Sequence, residues 1–191
     1  MILELDYDAY HLRIIADMVD YVLPETSIHE YLGKQYFGKE KLSPQEYSES
    51  KEISFRILYG GIPKEFLSIP FFNKVNDWKI KKEFNTYLYK RKVSEKVIGE
   101  MSPQKLFNYY IQSAETELNS EAMDKVFQVL ENYSTNFILY TYDSFTFDFD
   151  MNEGKELILQ IKNAMKYPTR ISMGPNYGAL KDVSSKFLWY L

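Results

Sequence analysis

The chain has 191 residues with a net charge of −4, and 45% of its residues are hydrophobic. This composition predicts a folded globular protein, and no apolar run reaches the length of a membrane span. The absence of cysteine excludes disulfides and cysteine-ligated zinc, and a total of two histidines argues against a histidine zinc site. Any bound metal is therefore expected to be a hard ion held by carboxylates. No signal peptide is recognisable, so we expect a cytoplasmic protein.

The hydrophobic periodicity predicts strands and helices in a mixed order along the chain. Ser27 is a candidate N-cap, and Ser43, Pro44 and Glu46 form the signature of a capping box at the start of a helix that ends at the Gly60–Gly61 pair. In chain order, the predicted elements are a strand at 2–6, helices at 9–22, 28–37 and 44–59, short helices within 62–84, a hairpin at 85–97, helices at 103–118 and 121–132, strands at 136–141 and 145–149, a helix at 152–165 and a strand at 169–173.

The predicted strands lie far apart in the sequence, at residues 2–6, 136–149 and 169–173. They are expected to form one antiparallel sheet with helices packed behind it, so the predicted fold class is α+β. The helical block from residue 27 to 84 would then be an insertion that forms its own lobe.

Two aspartates are placed at ends of predicted strands. Asp6 ends the first strand, and Asp143 lies in the turn of the hairpin LYTYDSFTFDF. Two such carboxylates at adjacent strand ends can hold two divalent ions about 3.5–4 Å apart, activate a hydroxyl nucleophile and stabilise a leaving pyrophosphate. The alternatives are that Asp6 or Asp8 is an N-cap and that Asp143 is an ordinary turn residue.

The helix predicted at 44–59 carries Tyr47, Lys51, Phe55 and Tyr59 at intervals of four residues, which places them in one stripe. Lys51 is suited to contact a triphosphate, and the two aromatic residues that follow it are suited to stack on a base. The alternative is that the aromatic residues belong to the core and that the lysine extends along them to water.

Polar and basic residues form two further candidate nucleic-acid surfaces. Asn108, Gln112 and Glu115 share one face of the helix predicted at 103–118, where the two amides can hydrogen-bond the minor groove of a duplex; an ordinary polar surface is the alternative. Between residues 74 and 96 there are eight basic and three acidic residues, a net charge of +5, interleaved with aromatic residues. Such a segment can bind phosphates and sugars or can simply be solvated. Its basic residues are Lys74, Lys79, Lys81, Lys82, Lys90, Arg91, Lys92 and Lys96.

Four of these segments, in this order, resemble the catalytic motifs of family A DNA polymerases, the DNA polymerase I family. DYDAYHLRIIA is similar to the first motif, Asp-Tyr-Ser-Gln-x-Glu-Leu-Arg, and KEISFRILYGG to the second, Lys-x-x-x-Phe-x-x-x-Tyr-Gly. NYYIQSAE resembles the Asn-x-x-x-Gln-x-x-Ala segment that follows, and YDSFTFDF occupies the place of the third motif, His-Asp-Glu. The resemblance implies a palm at residues 1–26 and 98–191 and a reduced fingers subdomain at 27–97.

The resemblance also implies roles for individual residues. Asp6 and Asp143, with the backbone carbonyl of Tyr7, would bind two magnesium ions, and Lys51 would act in catalysis by contacting the incoming triphosphate. The remaining nucleotide-binding residues would be His11, His29, Phe55 and Tyr59. The residues that contact DNA would be Arg13, Lys90, Arg91, Lys92, Asn108 and Gln112.

The sequence departs from the family pattern at several positions. His11 stands where the family has the glutamate that excludes ribonucleotides, Tyr47 stands in place of an arginine, and the third motif has Tyr142 and Ser144 on either side of Asp143. The family's thumb and exonuclease would precede the first motif, yet Asp6 is near the start of this chain. The resemblance therefore leads us to expect a fragment, or one subunit of a split polymerase completed by a second chain or a missing segment.

The activity implied is template-directed DNA synthesis on a primer-template, in which a primer 3′ hydroxyl attacks a dNTP and pyrophosphate is released. The resemblance implies that the protein acts in the cytoplasm of a bacterium or of a virus-infected host cell. Two alternatives remain. His11 and the Asp143–Ser144 pair suit a relative that makes RNA, either primase-like or a single-subunit RNA polymerase. The altered positions Tyr47 and Tyr142 suit an inactive palm that serves as a binding subunit.

Overall fold

A computed structural model describes residues 1–78, 84–94, 96 and 99–190. The predicted basic residues Lys79, Lys81 and Lys82 therefore lie outside the described residues, as do parts of the segments predicted as short helices and as a hairpin between 62 and 97. None of the helices in the described ranges is both long and apolar enough to cross a membrane. The elements are, in chain order, β1 (Ile2–Tyr7), α1 (Tyr10–Met18), α2 (Ile28–Phe37), α3 (Pro44–Gly60), α4 (Pro70–Asp77), β2 (Phe84–Asn85), β3 (Lys92–Val93), α5 (Pro103–Leu130), β4 (Asn136–Thr141), β5 (Ser144–Asp148), α6 (Gly154–Ala164), β6 (Thr169–Gly174) and β7 (Lys181–Asp182).

The chain divides into two compact units, one of residues 1–10 with 118–191 and the other of residues 11–117. The first unit, called the sheet unit below, contains a five-stranded sheet in the order β4-β5-β1-β6-β7. All four strand pairs are antiparallel, which confirms the predicted α+β class and the single antiparallel sheet. The second unit, called the helical unit, contains α2, α3, α4 and the two-stranded β2–β3 pair. The division into a palm at 1–26 and 98–191 and fingers at 27–97 stays a prediction.

Alternation along β1 decides which of its residues face the core. Leu3, Leu5 and Tyr7 are buried, whereas Glu4 and Asp6 are partly exposed on the other face. The neighbouring strands add Phe145, Phe147 and Ile171 to the core, and each fully buried side chain of this size contributes about 1.5–3 kcal/mol. The sheet is therefore a rigid support for the polar groups on the opposite face of β1.

Helix α5 is continuous over 28 residues, so the prediction of two helices with a break near residue 119 is wrong. Asn119 lies at the predicted break, and short polar side chains can compete with helical backbone hydrogen bonds. The Asn119 side chain instead bonds to groups outside the helix: it accepts a hydrogen bond from the Tyr10 hydroxyl at 2.9 Å and donates to the Tyr142 carbonyl at 2.8 Å. Its polar atoms therefore do not disturb the helical backbone.

Helix α1 ends at Met18, four residues before its predicted end. The amide of Tyr21 donates to the carbonyl of Ala16 at 2.8 Å, and the amide of Asp20 donates to the carbonyl of Asp17 at 3.2 Å. This pair of bonds is a Schellman motif, in which Asp20 takes the left-handed position usually held by glycine, with φ of 53°. Because the residue is aspartate, the usual sequence signal for a helix end is missing.

The start of α3 confirms the predicted capping box. The amide of Glu46 donates to the Ser43 hydroxyl at 3.3 Å, and the amide of Ser43 donates to the Glu46 carboxylate at 2.8 Å. Hydrogen bonds from Lys39 and Ser43 lower the pKa of Glu46 to about 2, so this carboxylate is ionised and faces the positive end of the helix. Within the helical unit, α3 packs on α2, where the Ser50 hydroxyl donates to the His29 carbonyl at 2.8 Å.

Candidate active site

Asp6 lies at the end of β1, opposite Ser144 of β5 on one side and Arg170 of β6 on the other. Its carboxylate forms a short ion pair with the Arg170 guanidinium. The geometry follows from strand pairing, because directly paired residues of antiparallel strands point to the same face of the sheet. Arg170 was not identified from the sequence, since only the register of β1 and β6 brings it next to Asp6.

The environment of Asp6 disfavours its negative charge. Burial and the nearby carboxylates of Asp143 and Glu4 raise the pKa of Asp6, and Arg170 lowers it in part, so that the pKa lies at about 6. A carboxyl group in this situation is stabilised in its ionised form by a bound cation. The pairing of two aspartates that the sequence predicts is therefore present, and the two charges lie close enough to influence one another.

Asp143 lies in the two-residue turn between β4 and β5, with its side chain exposed. Its backbone carbonyl accepts a hydrogen bond from the amide of Tyr7 at 2.9 Å, which ties the turn to the end of β1. Tyr142, the other residue of the turn, has φ of 46°. Such a left-handed conformation is usual for glycine or asparagine in two-residue hairpins and costs energy for an aromatic residue.

Asn119 holds the turn from the side of α5. Its side chain is fully buried; its amide nitrogen donates to the Tyr142 carbonyl at 2.8 Å and to the Tyr140 hydroxyl at 2.9 Å, while its oxygen accepts from Tyr10. The ring of Tyr10 stacks on that of Tyr7 at 4.1 Å between centroids. Asn119 thus links the turn that carries Asp143 to the strand end that carries Asp6. The role of Asn119 was not identified from the sequence.

The donor set at this edge of the sheet suits a hard divalent ion. Asp6 and Asp143 supply carboxylate oxygens, the ligand type that magnesium prefers, and the Arg170 guanidinium already provides positive charge beside Asp6. The described residues contain no cluster of three or more His, Cys, Asp or Glu side chains arranged to hold a metal. The protein therefore offers a pair of carboxylates, and further ligands would have to come from backbone, water or substrate.

The stripe on α3 is a surface and not a core face. Phe55 is 45% exposed, whereas Ile53 and Ile57, on the other side of the helix, are buried. The rings of Phe55 and Tyr59 are parallel, with centroids 6.2 Å apart, and the Lys51 ammonium lies 4.7 Å from the centroid of the Tyr47 ring. A cation followed by two parallel rings, of which Phe55 is exposed and Tyr59 half-buried, is able to bind a planar anionic ligand.

His29 is buried beside this stripe. Its ring lies 5.9 Å from that of Phe55 and 6.4 Å from that of Tyr47, measured between centroids. The structure thus brings together three of the predicted nucleotide-binding residues, Phe55, Tyr59 and His29, with Lys51 on the same helix.

His11 joins the same group through Tyr59. Its Nδ1 atom forms a short hydrogen bond with the Tyr59 hydroxyl, and its Nε2 atom lies 2.8 Å from the Glu115 carboxylate. Glu115 is 8% exposed, and the sequence indicated only that it shares a helix face with Asn108 and Gln112. The histidine ring is therefore held on both sides, which fixes its orientation beside Tyr59.

The predicted DNA contacts differ in how accessible they are. Arg13 is buried and donates to the carbonyls of Pro24, Glu25 and Thr26 at 3.1–3.4 Å, so in this structure it holds the loop before α2. Gln112 is exposed, and the Asn108 side chain accepts a hydrogen bond from Gln104 at 3.1 Å. Lys90, Arg91 and Lys92 are exposed on the β2–β3 hairpin. The DNA-binding roles of all these residues stay predictions.

Comparison with known proteins relates this geometry to a polymerase fold. No family model matches the chain, and no curated protein matches it. Among solved structures, the chain is similar to the POL domain of Pol1 from M. smegmatis, solved with a DNA primer-template and dNTP, with a TM-score of 0.73 and 16% sequence identity. The match covers 91% of this chain but 39% of that one. The chain thus has the fold of part of a bacterial Pol1 polymerase domain.

Proposed function

We propose that this protein is a template-directed nucleotidyltransferase that adds dNTPs to a primer 3′ hydroxyl, as a family A DNA polymerase does. One observation carries the proposal: Asp6 and Asp143 lie together at one edge of the antiparallel sheet, in a chain whose fold is similar to part of a Pol1 polymerase domain. The alternatives, an N-cap role for Asp6 and a turn role for Asp143, explain the pair less well. Neither role requires a second carboxylate close enough to raise the pKa of Asp6.

In this proposal, Asp6, Asp143 and the backbone carbonyl of Tyr7 would hold two magnesium ions. Bound divalent ions supply positive charge that lowers the pKa of an attacking hydroxyl and stabilises the leaving oxygen. The protein's own part is positioning: the Tyr7 amide and the Asn119 side chain hold the turn that carries Asp143. Arg170 keeps the Asp6 carboxylate oriented and partly neutralised.

The partly exposed stripe of α3 would bind the incoming nucleotide. Lys51 would contact the triphosphate, and the parallel rings of Phe55 and Tyr59 would pack against the base, each with a flat apolar face. His29 supports Phe55 from the buried side. His11 would lie near the sugar, where its fixed orientation beside Tyr59 decides how much room is left for a 2′ hydroxyl.

DNA would be contacted by Gln112, by Asn108 and by the basic hairpin, and Arg13 would shape the loop that precedes α2. Since the chain spans 39% of the length of the matched polymerase chain, we propose that protein surface from a second chain or another segment completes the grip on DNA. Phosphate contacts supply much of the affinity for DNA, so the chain alone would bind a primer-template weakly. A cytoplasmic location also stays a prediction.

Primer extension tests the proposal. The chain is incubated with a primed template, MgCl₂ and either dNTPs or rNTPs. The two variants compared are Asp143→Asn and, as a matched control, Asp124→Asn, which changes an exposed aspartate on α5. We expect extension with dNTPs that falls by a factor on the order of 10² or more in Asp143→Asn and is unchanged in Asp124→Asn. Equal extension by both variants would contradict the assignment of Asp143.

The same assay separates the alternatives. A preference for rNTPs would indicate an RNA-synthesising relative, the alternative suggested by His11. Absence of extension, together with Mn²⁺ binding that is equal in the wild-type and Asp6→Asn proteins, would indicate a binding subunit without a metal site.

A further inference from the structure

The β2–β3 hairpin is a basic and aromatic surface on the helical unit. Residues 84–94 include Lys90, Arg91 and Lys92 and no acidic residue, in a chain whose net charge is −4. Tyr89, in the turn, is 52% exposed, and the side chain of Arg91 is 67% exposed. The hairpin therefore presents three positive charges and an aromatic ring to solvent within four consecutive residues.

A buried carboxylate from α5 holds this turn in place. Glu117 is 1% exposed. One of its oxygens accepts from the amides of Leu88 and Tyr89 at 2.8 and 3.1 Å. The other accepts from Nε and Nη2 of Arg91 at 3.2 and 2.9 Å. Two backbone amides and a bidentate guanidinium thus converge on a single side chain from another element.

Glu117 remains ionised despite its burial. Burial raises the pKa of Glu117, but hydrogen bonds from Thr86, from the amides of Tyr89 and Leu88, and from Arg91 lower it more, so its pKa lies below the usual range. A buried charge is costly unless it is hydrogen-bonded throughout. An ordinary solvated turn does not need such an anchor, whereas a binding surface gains affinity when its conformation is fixed in advance.

The anchor leaves the cations accessible. Glu117 engages two of the five N–H groups of Arg91, and the Arg91 guanidinium carbon lies 5.8 Å from the centroid of the Tyr89 ring. The Lys90 ammonium donates to the Tyr87 carbonyl at 2.5 Å on the surface. Lys92 is exposed on β3. Cations beside an exposed aromatic ring are the combination that binds single-stranded nucleic acid, through phosphate contacts and base stacking.

We propose that the β2–β3 hairpin is a preorganised site for single-stranded nucleic acid, in which Lys90, Arg91 and Lys92 contact phosphates, Tyr89 stacks on a base, and Glu117 is the positioning residue. This inference extends the proposed polymerase function. It rests on that function only where it identifies the bound strand as the template. Binding itself is independent of catalysis, so the two proposals can fail separately.

The test is binding of a fluorescein-labelled 12-mer of thymidylate, followed by anisotropy across a range of KCl concentrations. Three phosphate contacts predict a slope of log affinity against log salt of about −2 for a single strand. The double variant Lys90→Gln/Lys92→Gln is expected to reduce this slope by about 1.4. Lys41→Gln/Lys64→Gln, which removes the same charge at two exposed positions of the helical unit, is expected to leave the slope unchanged.

Two further variants separate stacking from positioning. Tyr89→Ala is expected to weaken binding about tenfold with an unchanged salt slope. Glu117→Gln is expected to weaken binding about three- to tenfold, also without a change in slope, because the cations remain while the turn loses its fixed shape. Thermal unfolding shows whether Glu117→Gln has lost its general structure. If it has, Tyr89→Ala and the lysine variants still test the inference, because they alter exposed side chains only.

Affinity that is unaffected by both Tyr89→Ala and Lys90→Gln/Lys92→Gln, relative to the control pair, would overturn the inference. Equal affinity for a blunt duplex, with no effect of Tyr89→Ala, would overturn it as well, because stacking on an unpaired base is then absent. Hairpin-dependent binding by a protein that shows neither primer extension nor Mn²⁺ binding that depends on Asp6 would contradict the polymerase proposal alone. Primer extension by a protein whose oligonucleotide affinity is unchanged by the hairpin substitutions would contradict this inference alone.

Discussion

Asp6→Asn is expected to stabilise the metal-free protein at neutral pH. The Asp6 carboxylate is partly buried, and the charge of Asp143 adds repulsion, so ionisation of Asp6 works against folding. The amide of asparagine has nearly the same shape, and its oxygen can still accept a hydrogen bond from Arg170. The substitution therefore removes an unfavourable charge and keeps the contact that orients the side chain.

The size of the effect follows from the shift in pKa from 3.8 to about 6. A shift of about 2 corresponds to about 3 kcal/mol at 1.36 kcal/mol for each pH unit. Because the Asp6 side chain is 23% exposed, solvent screening reduces the expected gain to about 1–2 kcal/mol. Between pH 4 and 6 the folded state retains a proton that the unfolded state has lost, so the stability of the wild-type protein falls as the pH rises through this window.

Urea unfolding in EDTA at pH 7.5 and pH 4.5 measures the effect. Asp6→Asn should raise the free energy of unfolding by about 1–2 kcal/mol at pH 7.5 and by roughly a third of that at pH 4.5, where Asp6 is protonated in the folded wild-type protein. Asp124→Asn, which removes an exposed carboxylate of α5, is the control for the loss of one negative charge. A loss of stability in Asp6→Asn at pH 7.5, or a gain equal at both pH values, would refute the reasoning. Added MgCl₂ should stabilise the wild-type protein more than Asp6→Asn, because ligands stabilise the state that binds them.

Three other substitutions test the support of the site and of the fold, each measured by urea unfolding. Asn119→Ala should cost about 2–3 kcal/mol, because it removes the acceptor that the buried Tyr10 hydroxyl uses and the donor that holds the Tyr142 carbonyl; an unchanged midpoint would show that water replaces the amide. Ser43→Ala should cost about 1 kcal/mol through loss of the N-cap of α3, and a neutral result would mean that the cap adds nothing. Gly174→Ala should cost about 2 kcal/mol or more, because a Cβ atom there would clash with the Ala179 carbonyl oxygen; a variant as stable as the wild type would contradict that contact.

Features that depend on neighbouring residues in the chain were predicted well. The capping box of α3 and the alternation along β1 follow from side chains within a few residues of one another, so their patterns are visible in the sequence. The end of α1 was predicted too late, because the local signal for a helix end is missing: Asp20 rather than glycine takes the left-handed position.

Features that depend on long-range register could not be predicted. The sequence identified Asp6 and Asp143 as strand-end acids, but the placement of Arg170 beside Asp6 requires the pairing of β1 with β6, 164 positions away. The same holds for Asn119, whose partners come from the segments around Tyr10 and Tyr142. A residue of this kind shows its role only when the strands and helices are in place, since its partners have no fixed spacing in the sequence.

The coincidence of several locally unfavourable features at one edge of the sheet argues for function. Tyr142 takes a left-handed backbone conformation where glycine would be less strained, and Asp6 is ionised in a partly buried position close to Asp143. Each feature alone would be removed by one substitution without harm to the core. Folded proteins keep such costs mainly where the arrangement itself is needed. Both features are explained if the turn must hold Asp143 next to Asp6. A bound cation would then offset the repulsion between the two carboxylates.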